Sequence, residues 1–183
     1  MTFANQLTLV RLVAFVPIMA ALYLQFPGNR TVATAVYVAA ILTDYLDGIL
    51  ARRSGKVTAF GKLMDSVADK ALICTMFFAL VGEGSMPAWM AGLMVVREFA
   101  VTGLRMVALE SGEVISANSW GKAKMVSQSA AVFILLLGYA TIGYWAMVLA
   151  MILTLLSGWS YLKDTPRILA ATAGEDKKVR VGS

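Results

Sequence analysis

Histidine is absent from the chain, and cysteine occurs once among its 183 residues. Because Cys74 lies inside an apolar run, the sequence excludes both a disulfide framework and a zinc site built from cysteine and histidine. Charged residues are scarce at 15%, whereas 59% of the residues are hydrophobic and the mean hydropathy is +0.73. An ordinary soluble domain is only about 45–50% apolar, so this composition indicates a membrane protein.

Six apolar stretches run through the chain, and each approaches the length of about 20 residues with which a helix crosses the hydrocarbon core of a bilayer. They occupy residues 7–26, 31–50, 63–81, 86–104, 125–142 and 144–162. We find no internal repeat, soluble domain or low-complexity tract. The sequence therefore predicts an all-α, polytopic membrane protein with six transmembrane helices in residues 1–162, followed by a polar cytoplasmic tail in residues 163–183.

The basic residues indicate how the predicted helices are oriented. Most of them lie in the links after the second and fourth stretches, with their flanks, and in the tail: Arg52, Arg53, Lys56, Lys62, Arg105, Lys122, Lys124, Lys163, Arg167, Lys177, Lys178 and Arg180. The opposite links carry only Arg30. Because basic links stay in the cytoplasm, six spans with both termini cytoplasmic fit this pattern. A basic face beside anionic lipid explains the net charge of +5, and no nucleic-acid partner is expected.

Four aspartates lie in the stretch DYLDGILARRSGKVTAFGKLMDSVADK, which joins the second apolar stretch to the third. Asp44 and Asp47 are three residues apart, so on a helix they share a face. Asp65 and Asp69 are four residues apart and share a face in the same way. Asp47 lies nine residues before Lys56, and Asp65 lies nine after it. An antiparallel helical hairpin would therefore bring all four carboxylates to similar depth.

Four carboxylates gathered at membrane depth would repel one another unless cations lie between them. Basic side chains could serve, but those that flank the cluster cannot all point into it: Arg52, Arg53, Lys62 and Lys70. Hard divalent metal ions suit a site that is made of oxygen ligands alone. The sequence therefore predicts two divalent ions bridged by carboxylates, an arrangement typical of enzymes that act on phosphate.

The stretch reads D-x2-D-G-x2-A-R-x8-G-x3-D-x3-D, and it resembles the motif of the CDP-alcohol phosphatidyltransferases at every fixed position. The resemblance implies a six-helix fold. It implies two ions, Mg²⁺ or Mn²⁺, held by Asp44, Asp47, Asp65 and Asp69. It implies a site for CDP-diacylglycerol made by Asp44, Asp47, Gly48, Ala51, Arg52 and Gly61. Asp69 resembles the catalytic base of the family.

Three further motifs are similar to those of the bacterial phosphatidylglycerophosphate synthases, a branch of that family: ANQLTLVRL, REFAVTGLR and GKAKMVSQ. Met125 departs from the branch, in which we expect threonine at this position. The branch implies that sn-glycerol 3-phosphate is the acceptor, and that phosphatidylglycerol phosphate and CMP are the products. It also implies a homodimer in the bacterial cytoplasmic (inner) membrane, with the active site facing the cytoplasm.

The phosphate of such an acceptor needs cations, and basic residues suited to bind it lie in the fourth and fifth stretches. The candidate glycerol-3-phosphate-binding residues are Arg105, Lys122, Lys124, Thr8 and Arg11. Arg97 and Glu98 also interrupt the fourth stretch, where Glu98 can neutralise an arginine or cap a neighbour.

Other functions remain open at this point. Enzymes of the same family with serine, inositol phosphate or phosphatidylglycerol as acceptor would share the aspartate motif. A divalent-ion transporter would also place acidic residues at membrane depth, although transporters more often show internal repeats. A purely structural membrane protein would leave the aspartates unexplained. The sequence does not decide between direct transfer and a covalent intermediate.

Overall fold

The computed structural model describes residues 3–24, 26–54, 59–110 and 119–159, with side chains for residues 13–24, 26–43, 67–108 and 121–159. Within these ranges every regular element is an α-helix, and no strand occurs. The helices are α1 (Phe3–Tyr23), α2 (Asn29–Ser54), α3 (Ala59–Gly82), α4 (Ala88–Glu110), α5 (Ser119–Leu136) and α6 (Ala140–Trp159). The predicted all-α class is confirmed, and the predicted tail lies outside the described residues.

The boundary between α5 and α6 differs from the prediction, which placed it at Gly143. The turn is centred instead on Gly138, whose φ of 89° is a left-handed conformation that glycine adopts without strain. The amide of Gly138 donates to the carbonyl of Leu135 at 2.9 Å, and that of Tyr139 to the carbonyl of Ile134 at 3.3 Å, which caps α5. Gly143 lies inside α6, where a Cβ would come 2.5 Å from the Leu135 side chain.

One end of the bundle gathers three links between helices. Arg30, at the start of α2, forms an ion pair with Glu83 in the α3–α4 link, with 3.2 Å between Nη2 and Oε2. The α5–α6 turn reaches the same place, since a Cβ on Gly138 would lie 3.5 Å from the Arg30 guanidinium. The helices therefore alternate in direction, and the α2–α3 and α4–α5 links lie at the opposite end.

The core forms where the helices meet. α1 packs against α2 and α3, α5 also contacts α2 and α3, and α4 packs against α3. The largest fully buried side chains are Tyr37, Phe77, Ile18, Met76, Leu80, Met90, Met94, Leu135, Leu136 and Met147. Methionine is frequent among them because its unbranched thioether fills irregular gaps between helices. Since α1 contacts both α2 and α3, it supports the two helices that carry the aspartates.

The outward face of α6 is strongly apolar. Its large exposed side chains have between 44% and 65% of their surface accessible: Ile142, Trp145, Leu149, Ile152, Leu155, Leu156 and Trp159. The buried residues of α6 are mostly small or polar: Gly143, Met147, Ala150, Thr154, Ser157 and Gly158. A helix of a water-soluble protein shows the reverse pattern, so this distribution is the one expected in contact with lipid.

Within the described ranges, α6 is the one helix whose length and composition suit a membrane crossing. α4 is of similar length but carries four charged residues, Arg97, Glu98, Arg105 and Glu110. The six predicted helices are therefore present, whereas the number of helices that cross a membrane stays a prediction.

Cysteines placed at the two ends of α2 test the predicted orientation, because Gly28 and Ser54 lie at opposite ends of that helix. We expect an impermeant thiol reagent to label Gly28→Cys in intact cells. Ser54→Cys, and Gly174→Cys in the tail, should react only after the membrane is opened. The parent chain, with buried Cys74 as its single thiol, is the control. Labelling of Ser54→Cys in intact cells would contradict the predicted orientation and indicate the opposite one.

Candidate functional site

The four aspartates lie in two helices joined by residues 55–58. Asp44 is ten residues before the end of α2, and Asp69 is ten residues after the start of α3, which is about 15 Å along each helix. Asp47 and Asp65 are seven and six residues from the same ends, or about 10 Å. Because α2 and α3 run in opposite directions, the aspartates pair in depth as the sequence predicts.

Of the four aspartates, Asp69 is the one whose side chain is described, and it is half-buried. The side chains of the other predicted metal and nucleotide ligands lie outside the described residues: Asp44, Asp47, Gly48, Ala51, Arg52, Gly61 and Asp65. Among the described side chains, no group of three acidic, cysteine or histidine residues is placed to hold a metal ion. The donor set itself fits hard divalent ions, since carboxylate oxygens are the ligands they prefer.

Lys70 links the aspartate hairpin to α4. It follows Asp69 directly in α3 and is also half-buried. Its charge lies within electrostatic range of Glu98 and Arg105, both on α4. Glu98 and Arg105 of α4 are therefore within electrostatic range of the residue that follows the predicted base Asp69.

Glu98 is the centre of a buried polar network that joins α4, α5 and α6. Its carboxylate forms an ion pair with Lys124 of α5, and each of the two residues is only 5% exposed. Gln128, one turn further along α5, donates to the same carboxylate oxygen at 3.4 Å and to the Thr154 hydroxyl of α6 at 2.9 Å. The Thr154 hydroxyl donates in turn to the Ala150 carbonyl at 2.6 Å.

Arg97 extends this network toward the end of α6. Its Nη1 lies 3.7 Å from Glu98 Oε1, and its Nη2 donates to Ser157 Oγ at 2.7 Å. Gly158 leaves room for the arginine, since a Cβ there would lie 3.1 Å from Arg97 Nε. We refer to Arg97, Glu98, Lys124, Gln128, Thr154 and Ser157 together as the Glu98 cluster.

The predicted acceptor-binding residues lie in different environments. Arg105 and Lys122 are exposed, near the end of α4 and the start of α5 respectively. Lys124 is buried and paired with Glu98. The remaining two predicted residues lie outside the described side chains: Thr8 and Arg11. The acceptor site therefore stays a prediction, with its cations at the end of the bundle where the aspartate hairpin turns.

Met125, which departs from the branch motif, lies on the exposed side of α5 with 50% of its surface accessible. Its neighbours in sequence, Lys124 and Gln128, face the interior instead. The departure therefore does not alter the Glu98 cluster.

Gln128, Thr154 and Ser157 were not identified from the sequence. A signal for them was present, because Lys124 and Gln128 are four residues apart and Thr154 and Ser157 are three apart, within otherwise apolar stretches. Polar residues that share one face of an apolar helix usually contact another helix. Spacing alone shows which face of its own helix a residue lies on, but it does not show which residue of another helix that side chain contacts.

The family model described as CDP-alcohol phosphatidyltransferase matches residues 1–156. The chain belongs to this family. The resemblance seen in the aspartate motif is thereby confirmed, and the match extends from α1 through most of α6. It includes the aspartate hairpin and every residue of the Glu98 cluster except Ser157.

Curated relatives of the chain come from several bacteria. The CDP-diacylglycerol–glycerol-3-phosphate 3-phosphatidyltransferase of Bacillus subtilis (strain 168) is 36% identical, covering 86% of this chain and 91% of the relative. The probable phosphatidylglycerophosphate synthase of Mycobacterium tuberculosis (strain ATCC 25618 / H37Rv) is also 36% identical, with coverage of 87% and 79%. A second CDP-diacylglycerol–glycerol-3-phosphate 3-phosphatidyltransferase, from Rickettsia bellii (strain RML369-C), is 31% identical, with coverage of 87% and 92%.

Proposed function

We propose that this protein transfers the phosphatidyl group from CDP-diacylglycerol to sn-glycerol 3-phosphate, giving phosphatidylglycerol phosphate and CMP. One observation carries the proposal: relatives that bear this activity in their names are 30–36% identical and align with at least 83% of the chain. The paired aspartates, and the cations at the same end of the bundle, are the groups that such a phosphoryl transfer needs.

In this proposal two divalent ions, Mg²⁺ or Mn²⁺, bind at the hairpin on Asp44, Asp47, Asp65 and Asp69. When bound, such ions neutralise the diphosphate and stabilise the charge that develops on the departing CMP. The nucleotide end of CDP-diacylglycerol contacts Asp44, Asp47, Gly48, Ala51, Arg52 and Gly61. The small residues leave the helix surface open to the ligand, and the arginine supplies a bidentate contact to phosphate.

Asp69 acts as the general base. The acceptor's hydroxyl is a poor nucleophile until it loses its proton, and a carboxylate placed beside it accepts that proton as the attack begins. The hydroxyl oxygen becomes bonded to the lipid-linked phosphorus, the bond from this phosphorus to CMP breaks, and CMP leaves with the electron pair. Asp69 then releases the proton to solvent.

The acceptor's phosphate binds among the cations beside the hairpin. A phosphate monoester carries nearly two negative charges near neutral pH, so it needs more than one cationic partner when it is partly desolvated. Arg105 and Lys122 are exposed and offer accessible charge, and Lys124 contributes from the Glu98 cluster. Thr8 and Arg11 of α1 complete the site. Serine has no phosphate, so an enzyme for serine has little need for this group of cations.

The protein lies in the bacterial inner membrane with six spans, and both termini and the active site face the cytoplasm. The exposed apolar face of α6 supports contact with lipid. The aspartates lie about 10–15 Å along their helices from the turn of the hairpin, so the acyl chains of the donor can stay in the bilayer while its diphosphate reaches them. A homodimer is expected from the family resemblance.

The acceptor is tested by CMP release from CDP-diacylglycerol with a panel of alcohols. We expect turnover with glycerol 3-phosphate and little with serine, inositol phosphate or phosphatidylglycerol. Arg105→Ala should raise KM for glycerol 3-phosphate roughly ten- to a hundredfold, because a charge-assisted contact contributes about 1.5–3 kcal/mol, with KM for CDP-diacylglycerol little changed. Arg30→Ala, at the opposite end of the bundle, is the matched control. A preference for serine or inositol phosphate would show that glycerol 3-phosphate is not the acceptor. The protein would still be a phosphatidyltransferase.

Metal removal tests the carboxylate site. Excess chelator should abolish CMP release, because the bare carboxylates would repel the diphosphate, and Mg²⁺ or Mn²⁺ should restore it. Activity and direct binding of radiolabelled CDP-diacylglycerol are measured on the same sample. Full activity in excess chelator would contradict the two-metal site.

Asp69→Asn tests the general base. The amide keeps the shape of the side chain but cannot accept the proton, so turnover should fall by a factor of about 10² to 10⁴ while part of the donor binding remains. Glu83→Gln makes the same chemical change at the opposite end of the bundle and should leave turnover unchanged. Near-normal turnover of Asp69→Asn would show that Asp69 is not the general base.

A further inference from the structure

The Glu98 cluster places one lysine at a fixed position inside the bundle. Three groups lie around Glu98 Oε1: the Lys124 ammonium, the Gln128 amide at 3.4 Å and the Arg97 guanidinium at 3.7 Å. Two of these groups are also tied to α6, since Gln128 donates to Thr154 and Arg97 donates to Ser157. The Glu98 carboxylate is therefore held directly from α5 and indirectly from α6, and Lys124 is held by the carboxylate.

A buried ion pair of this kind contributes little net free energy to the stability of the bundle. Removing two charges from water costs about as much as their attraction returns, so apolar residues of similar volume would stabilise the bundle equally well. A lysine side chain is long and flexible, and fixing it costs up to about 2 kcal/mol of rotamer entropy. In Lys124 that entropy has been lost before any ligand arrives.

The fixed lysine lies within electrostatic range of α3, which carries the proposed base Asp69. The charges of Lys124 and Glu98 are both within electrostatic range of Lys70, which follows Asp69. Arg105 lies seven residues after Glu98, which is two turns along the same face of α4 and about 10 Å nearer to the end of that helix. Exposed Arg105 therefore marks the outer end, and the buried Glu98–Lys124 pair the inner end, of one row of charged groups along α4.

We propose that Glu98 is a positioning residue for the acceptor: it holds the Lys124 ammonium where one oxygen of the acceptor's phosphate binds, deeper in the bundle than Arg105. Gln128 of α5 and Arg97 of α4 keep the carboxylate in place, and each is itself tied to α6 by a hydrogen bond. Protein kinases use a lysine–glutamate ion pair in the same physical way, to fix a lysine that contacts phosphate. This inference rests on the proposed function, because it assumes an acceptor that carries phosphate.

The measurement is the separate determination of KM and kcat for both substrates in steady-state CMP release. Glu98→Gln should raise KM for glycerol 3-phosphate about tenfold, with KM for CDP-diacylglycerol within about twofold of the wild type, since Lys124 is no longer held by an opposite charge. Glu98→Asp keeps the charge on a shorter side chain, so its KM for glycerol 3-phosphate should lie between that of the wild type and that of Glu98→Gln. Glu83→Gln removes the carboxylate from the Arg30–Glu83 ion pair at the opposite end of the bundle and should change neither KM.

A double-mutant cycle separates positioning from a structural role. Lys124→Ala should raise KM for glycerol 3-phosphate, and adding Glu98→Gln to it should raise that KM no further, because the lysine to be positioned is gone. The inference would be overturned if the two single changes raised KM for glycerol 3-phosphate independently, so that their factors multiply in the double variant. It would also be overturned if Glu98→Gln lowered the amount of active protein but kept wild-type KM values. If Glu98→Gln does not fold, Gln128→Leu decides: it removes one support of the carboxylate and should raise the same KM by a smaller factor, and an unchanged KM would overturn the inference.

Failure of the inference is distinguishable from failure of the proposed function. A wild-type enzyme that uses glycerol 3-phosphate, with Glu98 variants that keep its KM, would reject the positioning role alone. A wild-type enzyme that releases CMP with serine and not with glycerol 3-phosphate would reject both. If inositol phosphate is the acceptor, the same variants should raise its KM in the same order.

Discussion

A charged side chain inside this apolar bundle needs an oppositely charged or hydrogen-bonding partner in place of water, and the arrangement of the helices follows from that constraint. Glu98 and Lys124 are almost fully buried on different helices, so α4 and α5 must present these two faces to each other. Arg97 and Gln128 extend the requirement to α6 through Ser157 and Thr154. For the four carboxylates of the aspartate hairpin the partners that we propose are divalent metal ions.

Most of the hairpin could be predicted because helical spacing converts sequence separation directly into depth. Asp44 and Asp69 were expected at similar depth from their distances to Lys56, and the ends of α2 and α3 place each of them ten residues inside its helix. The membership of the family was also predictable, because fixed residues at fixed spacing carry far more information than composition. Neither inference needed to know how one helix is rotated against another.

The Glu98 cluster could not be predicted for that reason. Glu98 and Lys124 are separated by 26 residues, and Arg97 and Arg105 are nearer in sequence as candidate partners. Only the rotation of α4 against α5 decides between them. The end of α5 shows the same limit on a smaller scale. The apolar stretches predicted the break at Gly143, whereas the turn lies at Gly138 and Gly143 packs inside α6 against Leu135.

The shared Glu98 carboxylate also bears on how such a chain is made. In the predicted six-span topology α4 enters the membrane during synthesis with Arg97 and Glu98 on it, and a charged residue at the centre of a lone helix disfavours insertion by about 2.5–3.5 kcal/mol. Its partners on α5 and α6 are synthesised 26 to 60 residues later, as the separations of Glu98 from Lys124 and of Arg97 from Ser157 show. In that topology the buried charges of α4 find their partners only after α5 and α6 have been synthesised, so the last three helices are expected to enter the lipid together.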